Sequence, residues 1–366
     1  MRSNALYSGL LKPVPQEALS SWLVRGEQSK NYLPFLRAMD CLKRHGVEDA
    51  DVTLTVKVEE SLSKILGLPS GCFQQSFPVL GDWLKIPPFR RNHVCEHCLY
   101  DDFRSGRQPA LRSTWFYWWF TVCPVHGCLL LTSQTYSDRG VSASDALYYL
   151  VQWDVLMERR GPWYAPWYTP RPFGPWRRRS RVYEPFKKLR FMALDFQRWY
   201  QVSLRRGEFV IGNAKITATI EEWHLFMGDL LAVIGKKRSY PLDRKSYIAR
   251  LLDIKSWSSL SSNFSPAVGC EPFLCTDIGE HPPNIRMAMF ALLGLFLKLP
   301  GCIHAWQLGR DSRLDDSHIE RFWRGMHSDA ERQPSYLQWL KKRAVGWNLL
   351  IEKHFRYLLN DAPRRT

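Results

Sequence analysis

Cys95 and Cys98 are spaced C-x2-C, and after 24 intervening residues Cys123 and His126 repeat that spacing as C-x2-H. A pair at this spacing can reach one ion from a single tight turn, and thiolate with imidazole is the donor set that tetrahedral zinc favours. A catalytic zinc keeps one position open for water or substrate, whereas four such donors close the shell. The quartet Cys95, Cys98, Cys123 and His126 therefore predicts a structural Zn2+ site. His93, His97 and Cys128 compete for the fourth position. His97 lies inside the first knuckle and would have to fold back onto the ion, so His126 is preferred and Cys128 is the better substitute. A looser group, Cys270, Cys275, His281, Cys302 and His304, lacks ligand spacing and reads as core and loop.

No second constellation suggests catalysis. The segments "GRDSRLDDSH" (309–318) and "HSDAER" (327–332) offer acids and histidines, but not at a spacing that would hold Mg2+ and activate water. No Gly-rich phosphate loop is present, so ATP hydrolysis by this chain is not expected. The expectation is a non-enzyme with no catalytic residues. A zinc-knuckle nuclease and a zinc-stabilised DNA-binding transcription regulator stand as alternatives.

Charge points to a polyanionic partner. The formal net charge is +16, and residues 161–207 hold eleven Lys and Arg against two Asp and Glu. Within that stretch Arg171, Arg177, Arg178, Arg179, Arg181, Lys187 and Lys188 form the candidate nucleic-acid contact. Arg171 lies within "GPWYAPWYTPRPFGPW" and the others follow it; its prolines forbid regular helix and its aromatics suggest an ordered arm. Nine cysteines without a regular framework fit a reducing compartment, and the first residues lack the apolar core of a signal peptide, so the expected location is cytoplasmic. The most apolar run, Ile285 to Leu299, is too short to span about 30 Å of hydrocarbon and is read as a buried helix, so no membrane association is expected.

These residues must be positioned by helices, because helical periodicity recurs and no strand signal does. Leu19, Trp22 and Leu23 predict helix from Gln16 towards His45, and Val58, Leu62, Ile65 and Leu66 predict another that stops at Gly67. Thr219-x-x-Glu222 is a capping box opening a helix that runs to Gly235, and a long helix is expected from about Ser335 to Asn360. The predicted fold is mainly α. Its parts are an N-terminal helical, helix-turn-helix-like module (1–90), a zinc-finger module (91–135), a basic Pro/Trp/Arg-rich connection with a helix (136–207) and a C-terminal helical domain (208–366).

The stretch "CEHCLYDDFRSGRQPALRSTWFYWWFTVCPVHGCLL" resembles the zinc-finger signature of the TniQ/TnsD family. Cys95, Cys98, Leu99, Asp102, Arg112, Trp115, Cys123, Pro124, His126, Gly127 and Leu129 fit that pattern in place. Upstream, "PVPQEALSSWLVR" resembles the family's opening through Pro15, Glu17, Leu19, Ser21, Trp22 and Arg25. The resemblance covers about the first 135 residues. In one respect the chain departs from it: many relatives add a second cysteine pair after C-P-x-H-G, and here only Cys128 follows. The resemblance implies a non-catalytic target-site selector of a heteromeric DNA transposition system. Such proteins bind target DNA, or dock on an RNA-guided, Cascade-type CRISPR effector complex, where relatives form homodimers. They recruit an AAA+ ATPase regulator of the TnsC or TniB kind. It also implies that the N-terminal helices carrying Glu17, Trp22 and Arg25 meet that ATPase.

Overall fold

The computed structural model describes residues 7–51, 54–77, 81, 83–132, 184–211, 214–234, 277–281, 283–307, 323 and 335–359. The chain divides into two compact units, Met1–Thr169 and Pro170–Thr366, and the division falls inside the connection 136–207. The described residues are mainly helical, with two two-stranded sheets.

The first unit opens with four helices: α1 (Leu19–Glu27), α2 (Leu33–Arg44), α3 (Val56–Leu66) and α4 (Cys72–Ser76). The single helix expected from Gln16 is thus two, and it starts later. Gln16 has a positive φ of 61°, and Pro34 opens a fresh helix where its missing N–H costs nothing. α1 and α2 come together closely because Gly26 has no side chain. A Cβ there would lie 2.0 Å from the Phe35 ring, so any larger residue would push the two helices apart. Trp22 is the centre of the core, fully buried between Tyr7, Phe35, Phe73 and Phe77. α3 ends as its sequence predicts: Thr55 caps the start by accepting from the Val58 amide, and Gly67 turns left-handed at φ 64°.

Beyond α4 the chain enters strand β1 (His93–Val94), helix α5 (Glu96–Arg104), a 3-10 turn (Ser113–Phe116) and strand β2 (Leu131–Thr132). β1 and β2 pair antiparallel, His93 opposite Thr132 and Val94 opposite Leu131.

In the second unit the longest helix, α6 (Glu184–Arg206), packs on α8 (Pro283–Phe296) and α9 (Pro300–Gln307). Between them come the hairpin β3 (Val210–Ile211) and β4 (Ala214–Lys215) and helix α7 (Ile220–Ile234). Two small residues set the approach of α9. A Cβ on Gly294 would meet Cys302 Sγ at 2.6 Å, and one on Gly301 would meet the Asp195 carboxylate at 2.4 Å. That places Asp195 at the start of α9, where a carboxylate complements the helix dipole.

The Thr219–Glu222 capping box forms as read from sequence, with the Thr219 amide donating to Glu222 at 2.7 Å and the Glu222 amide donating to Thr219 Oγ1 at 3.2 Å. Where one long helix was expected from Ser335, the chain instead makes α10 (Ser335–Ala344) and α11 (Leu349–Phe355). The break falls at 345–348, where Asn348 caps α11 through the Leu350 amide. Asp229 on α7 clamps that break, accepting from Arg343 Nε at 2.9 Å and Trp347 Nε1 at 2.8 Å. Among the described residues no single helix is long and apolar enough to cross a membrane. Every residue of α8 is buried, as its apolar sequence predicts.

Candidate metal centre

Local folding brings the two knuckles together. Cys95 stands at the entry to α5, directly after β1, and Cys98 lies in the helix's first turn. The second knuckle is a tight turn in which the Gly127 amide donates to the Cys123 carbonyl at 2.8 Å and Gly127 takes φ 62°. The Cys123 amide donates to the Cys128 carbonyl at 2.8 Å, and the chain then runs into β2 beside β1. The β1–β2 pairing is what holds the knuckles face to face.

Cys95, Cys98, Cys123 and His126 place one donor atom each within 4.8 Å of one another, the one group of this kind among the described residues. Cys98 Sγ is 3.7 Å from Cys123 Sγ. His126 Nδ1 is 3.4 Å from Cys95 Sγ, 3.4 Å from Cys98 Sγ and 3.6 Å from Cys123 Sγ. A tetrahedral zinc with bonds of about 2.3 Å to sulfur and about 2.0 Å to nitrogen has edges of about 3.8 Å between sulfurs and about 3.5 Å from sulfur to nitrogen. The donor set and its spacing therefore fit zinc. Hydrogen bonds from Cys95 and then Cys98 pull the Cys123 thiol down to about 2, while the Cys95 and Cys98 thiols are pushed up by sharing those protons. A divalent cation among three such sulfurs removes the conflict, since it replaces the shared protons as their common partner.

The competing ligands are placed apart from this quartet. Cys128 Sγ lies 3.5 Å from Cys95 Sγ but outside the four mutually adjacent donors. The His97 ring lies 5.2 Å from that of His126, and His93 packs edge-on to Trp118. Beyond the quartet, His126 Nε2 is 2.9 Å from Asp101 Oδ2, the outer carboxylate that fixes the ring so that Nδ1 faces inward. Of the looser group, Cys270 and Cys275 lie outside the described residues. So do Arg171, Arg177, Arg178, Arg179 and Arg181. Lys187 and Lys188 are on α6, the first exposed and the second half-buried.

Sequence reading missed what joins the knuckles to the N-terminal helices. Glu17, Ser21 and Arg25 recur every four residues and are all buried, so the N-terminal helices expected to meet the ATPase hold these three side chains inward. Glu17 pairs with Arg25 and accepts from Ser21 Oγ and the Val14 amide. Ser21 Oγ in turn accepts from the Leu111 amide at 2.9 Å. Backbone bonds complete the seam: the Ala18 amide to the Leu111 carbonyl and the Ser113 amide to the Gln16 carbonyl, both 2.9 Å. On the far side, buried Asp102 accepts from the Ala110 amide and pairs with Arg112, whose guanidinium lies over the Trp115 ring. A second tie joins Arg91 to Asp49 and Asp51, with Asp51 also accepting from Ser20. The signal that could have found the seam is Glu-x3-Ser-x3-Arg, with Glu17 just ahead of α1 and Ser21 and Arg25 one turn apart on it.

Comparison with known families gives one match: the TniQ family model covers residues 10–130. No curated protein and no solved structure matches the chain. The matched span takes in α1 through the second knuckle, the whole of the seam and the metal quartet.

Proposed function

From the match of residues 10–130 to the TniQ family model, we propose a non-catalytic target-site selector of a heteromeric DNA transposition system. The observation that carries the proposal is that match, over a segment whose polar residues are spent on structure. Glu17, Ser21, Arg25, Asp102 and Arg112 close a buried seam, and Cys95, Cys98, Cys123 and His126 form a quartet suited to a closed zinc shell. When bound, zinc supplies a rigid node between the knuckles. Asp101 orients His126 towards it, and the β1–β2 pair and the seam transmit that rigidity to α1.

In this reading the protein marks a site on target DNA, directly or through an RNA-guided effector complex, and recruits an AAA+ ATPase that brings in the transposase. It acts in the cytoplasm, and a homodimer is the expected form on an effector complex. Recruitment must use outward-facing groups, because Glu17, Trp22 and Arg25 are at most 4% exposed.

The test is affinity capture with the purified full-length chain. An AAA+ ATPase of the TnsC or TniB kind should be retained on beads carrying the chain and a target-DNA fragment, and the chain alone should neither cleave DNA with Mg2+ nor hydrolyse ATP. Metal-dependent cleavage by the purified chain, lost on changing one acidic residue, would instead support the nuclease alternative.

A further inference from the structure

α6 is an uninterrupted helix of 23 residues. Met192, Ala193, Phe196 and Tyr200 are buried on the side that packs on α8 and α9. On the opposite side Lys187, Phe191, Arg198, Val202 and Arg205 follow one another at intervals of 4, 7, 4 and 3 residues, and all five are exposed. Those intervals keep residues on one helix face. From Lys187 to Arg205 is 18 residues, about five turns and about 27 Å of helix.

The charge on this helix is lopsided. It carries six Lys or Arg (Lys187, Lys188, Arg190, Arg198, Arg205 and Arg206) against Glu184 and Asp195, and Asp195 is turned to Gly301 and Cys302. Among the described residues no carboxylate pairs with Lys187, Arg198 or Arg205. Phe191, 55% exposed, and Val202, 43% exposed, lie between the cations.

We infer that this outer stripe of α6 is a docking surface for the backbone of duplex DNA. The charge count over 161–207 already includes Arg198 and Arg205, and the helix sets them in one row with Lys187. The choice of DNA rests on the proposed role in target selection. A row about 27 Å long lies along about eight base pairs at 3.4 Å each, and the DNA offers one negative charge per about 1.7 Å of axis. Lys187, Arg198 and Arg205 neutralise phosphates, while Phe191 and Val202 pack on the sugars between them. Nothing in the stripe reads base edges, so the contact positions the duplex and leaves sequence choice to other elements.

The experiment titrates a 30-base-pair duplex of arbitrary sequence into full-length protein by fluorescence anisotropy, between 50 and 300 mM salt. The variant is Lys187→Gln/Arg198→Gln/Arg205→Gln, and the control is Arg37→Gln/Lys43→Gln/Lys57→Gln, which removes the same charge from the first unit. Each lost phosphate contact should remove about 0.9 from the log–log salt slope. The α6 variant should therefore flatten the slope by about 2 to 3 and weaken binding on the order of 100-fold, equally for unrelated sequences, with melting temperature unchanged. The control should keep the slope of the unmodified protein. Equal losses in variant and control, an unchanged slope, or a preference for duplex RNA over DNA would each overturn the inference. Capture of the ATPase is scored in parallel. Normal capture with unchanged DNA binding overturns the stripe alone, and altered DNA binding with no capture by the unmodified chain overturns the proposed role alone.

Discussion

Cys98→Ser protein is expected to purify without zinc and with residues 10–130 opened to proteolysis, while the second unit keeps its protection. The reason is that metal binding in such a module is folding energy, about 10–16 kcal/mol for small zinc domains near neutral pH. Losing one of three thiolates forfeits much of it, against a typical total stability of about 5–15 kcal/mol. The damage should reach α1, because the knuckles flank the segment 110–113, whose Leu111 carbonyl and Ser113 amide bond to Ala18 and Gln16. Cys128→Ser is the matched control. Cys128 touches Cys95 but stands outside the quartet, so this variant should retain one zinc and its melting temperature. Elemental analysis with limited proteolysis reads both. Full zinc content and unchanged protection in Cys98→Ser would remove the metal from the account, and zinc lost only in Cys128→Ser would replace His126 by Cys128 as the fourth ligand.

The second large effect lies in the seam. Glu17→Ala leaves the Arg25 guanidinium buried without its carboxylate, and Arg25→Ala leaves the carboxylate. Breaking a buried pair from one side costs about 3–5 kcal/mol. Burial holds the Glu17 carboxyl above its usual value against the pull of Arg25, so the pair offsets the cost of two buried charges without cancelling it. Removing both charges with Glu17→Met/Arg25→Met should therefore cost clearly less than the two single changes added together. Hydrogen exchange is the measurement. Amides of 14–25 and 110–113 should exchange faster in each single variant, with α6 unaffected. Unaltered exchange in those two segments would mean that the seam does not hold the N-terminal helices to the knuckles.

The metal quartet was legible in the sequence because its information is local: two pairs of rare residue types, each within one turn. The seam was not, since Ser21 and Leu111 meet 90 residues apart and nothing in either segment names the other. Signature residues such as Glu17, Arg25, Asp102 and Arg112 could be matched to the TniQ pattern but not explained by it. The structure gives the reason, which is burial on the two sides of one interface. Helix existence was legible and helix continuity was not. Between Glu27 and Leu33 the polar run Gln28–Asn31 interrupts the apolar pattern ahead of Pro34, and between Ala344 and Leu349 Gly346 and the Asn348 cap do so; both breaks are short, and the apolar residues on either side hide them. The outer stripe of α6 shows the complementary limit. The basic stretch 161–207 includes Arg198 and Arg205 by count, but only the uninterrupted helix brings them into one row with Lys187.

The proposed role is to select where a transposon inserts without performing any of the chemistry. Insertion sites mapped by sequencing, in cells carrying the complete transposition system with or without the gene for this chain, test it most directly. Removing the gene, or supplying Cys98→Ser, should abolish insertions at the preferred target. Transposase and ATPase levels should be unchanged, and any residual insertions scattered. Insertions of undiminished number at the same site without the chain would contradict it.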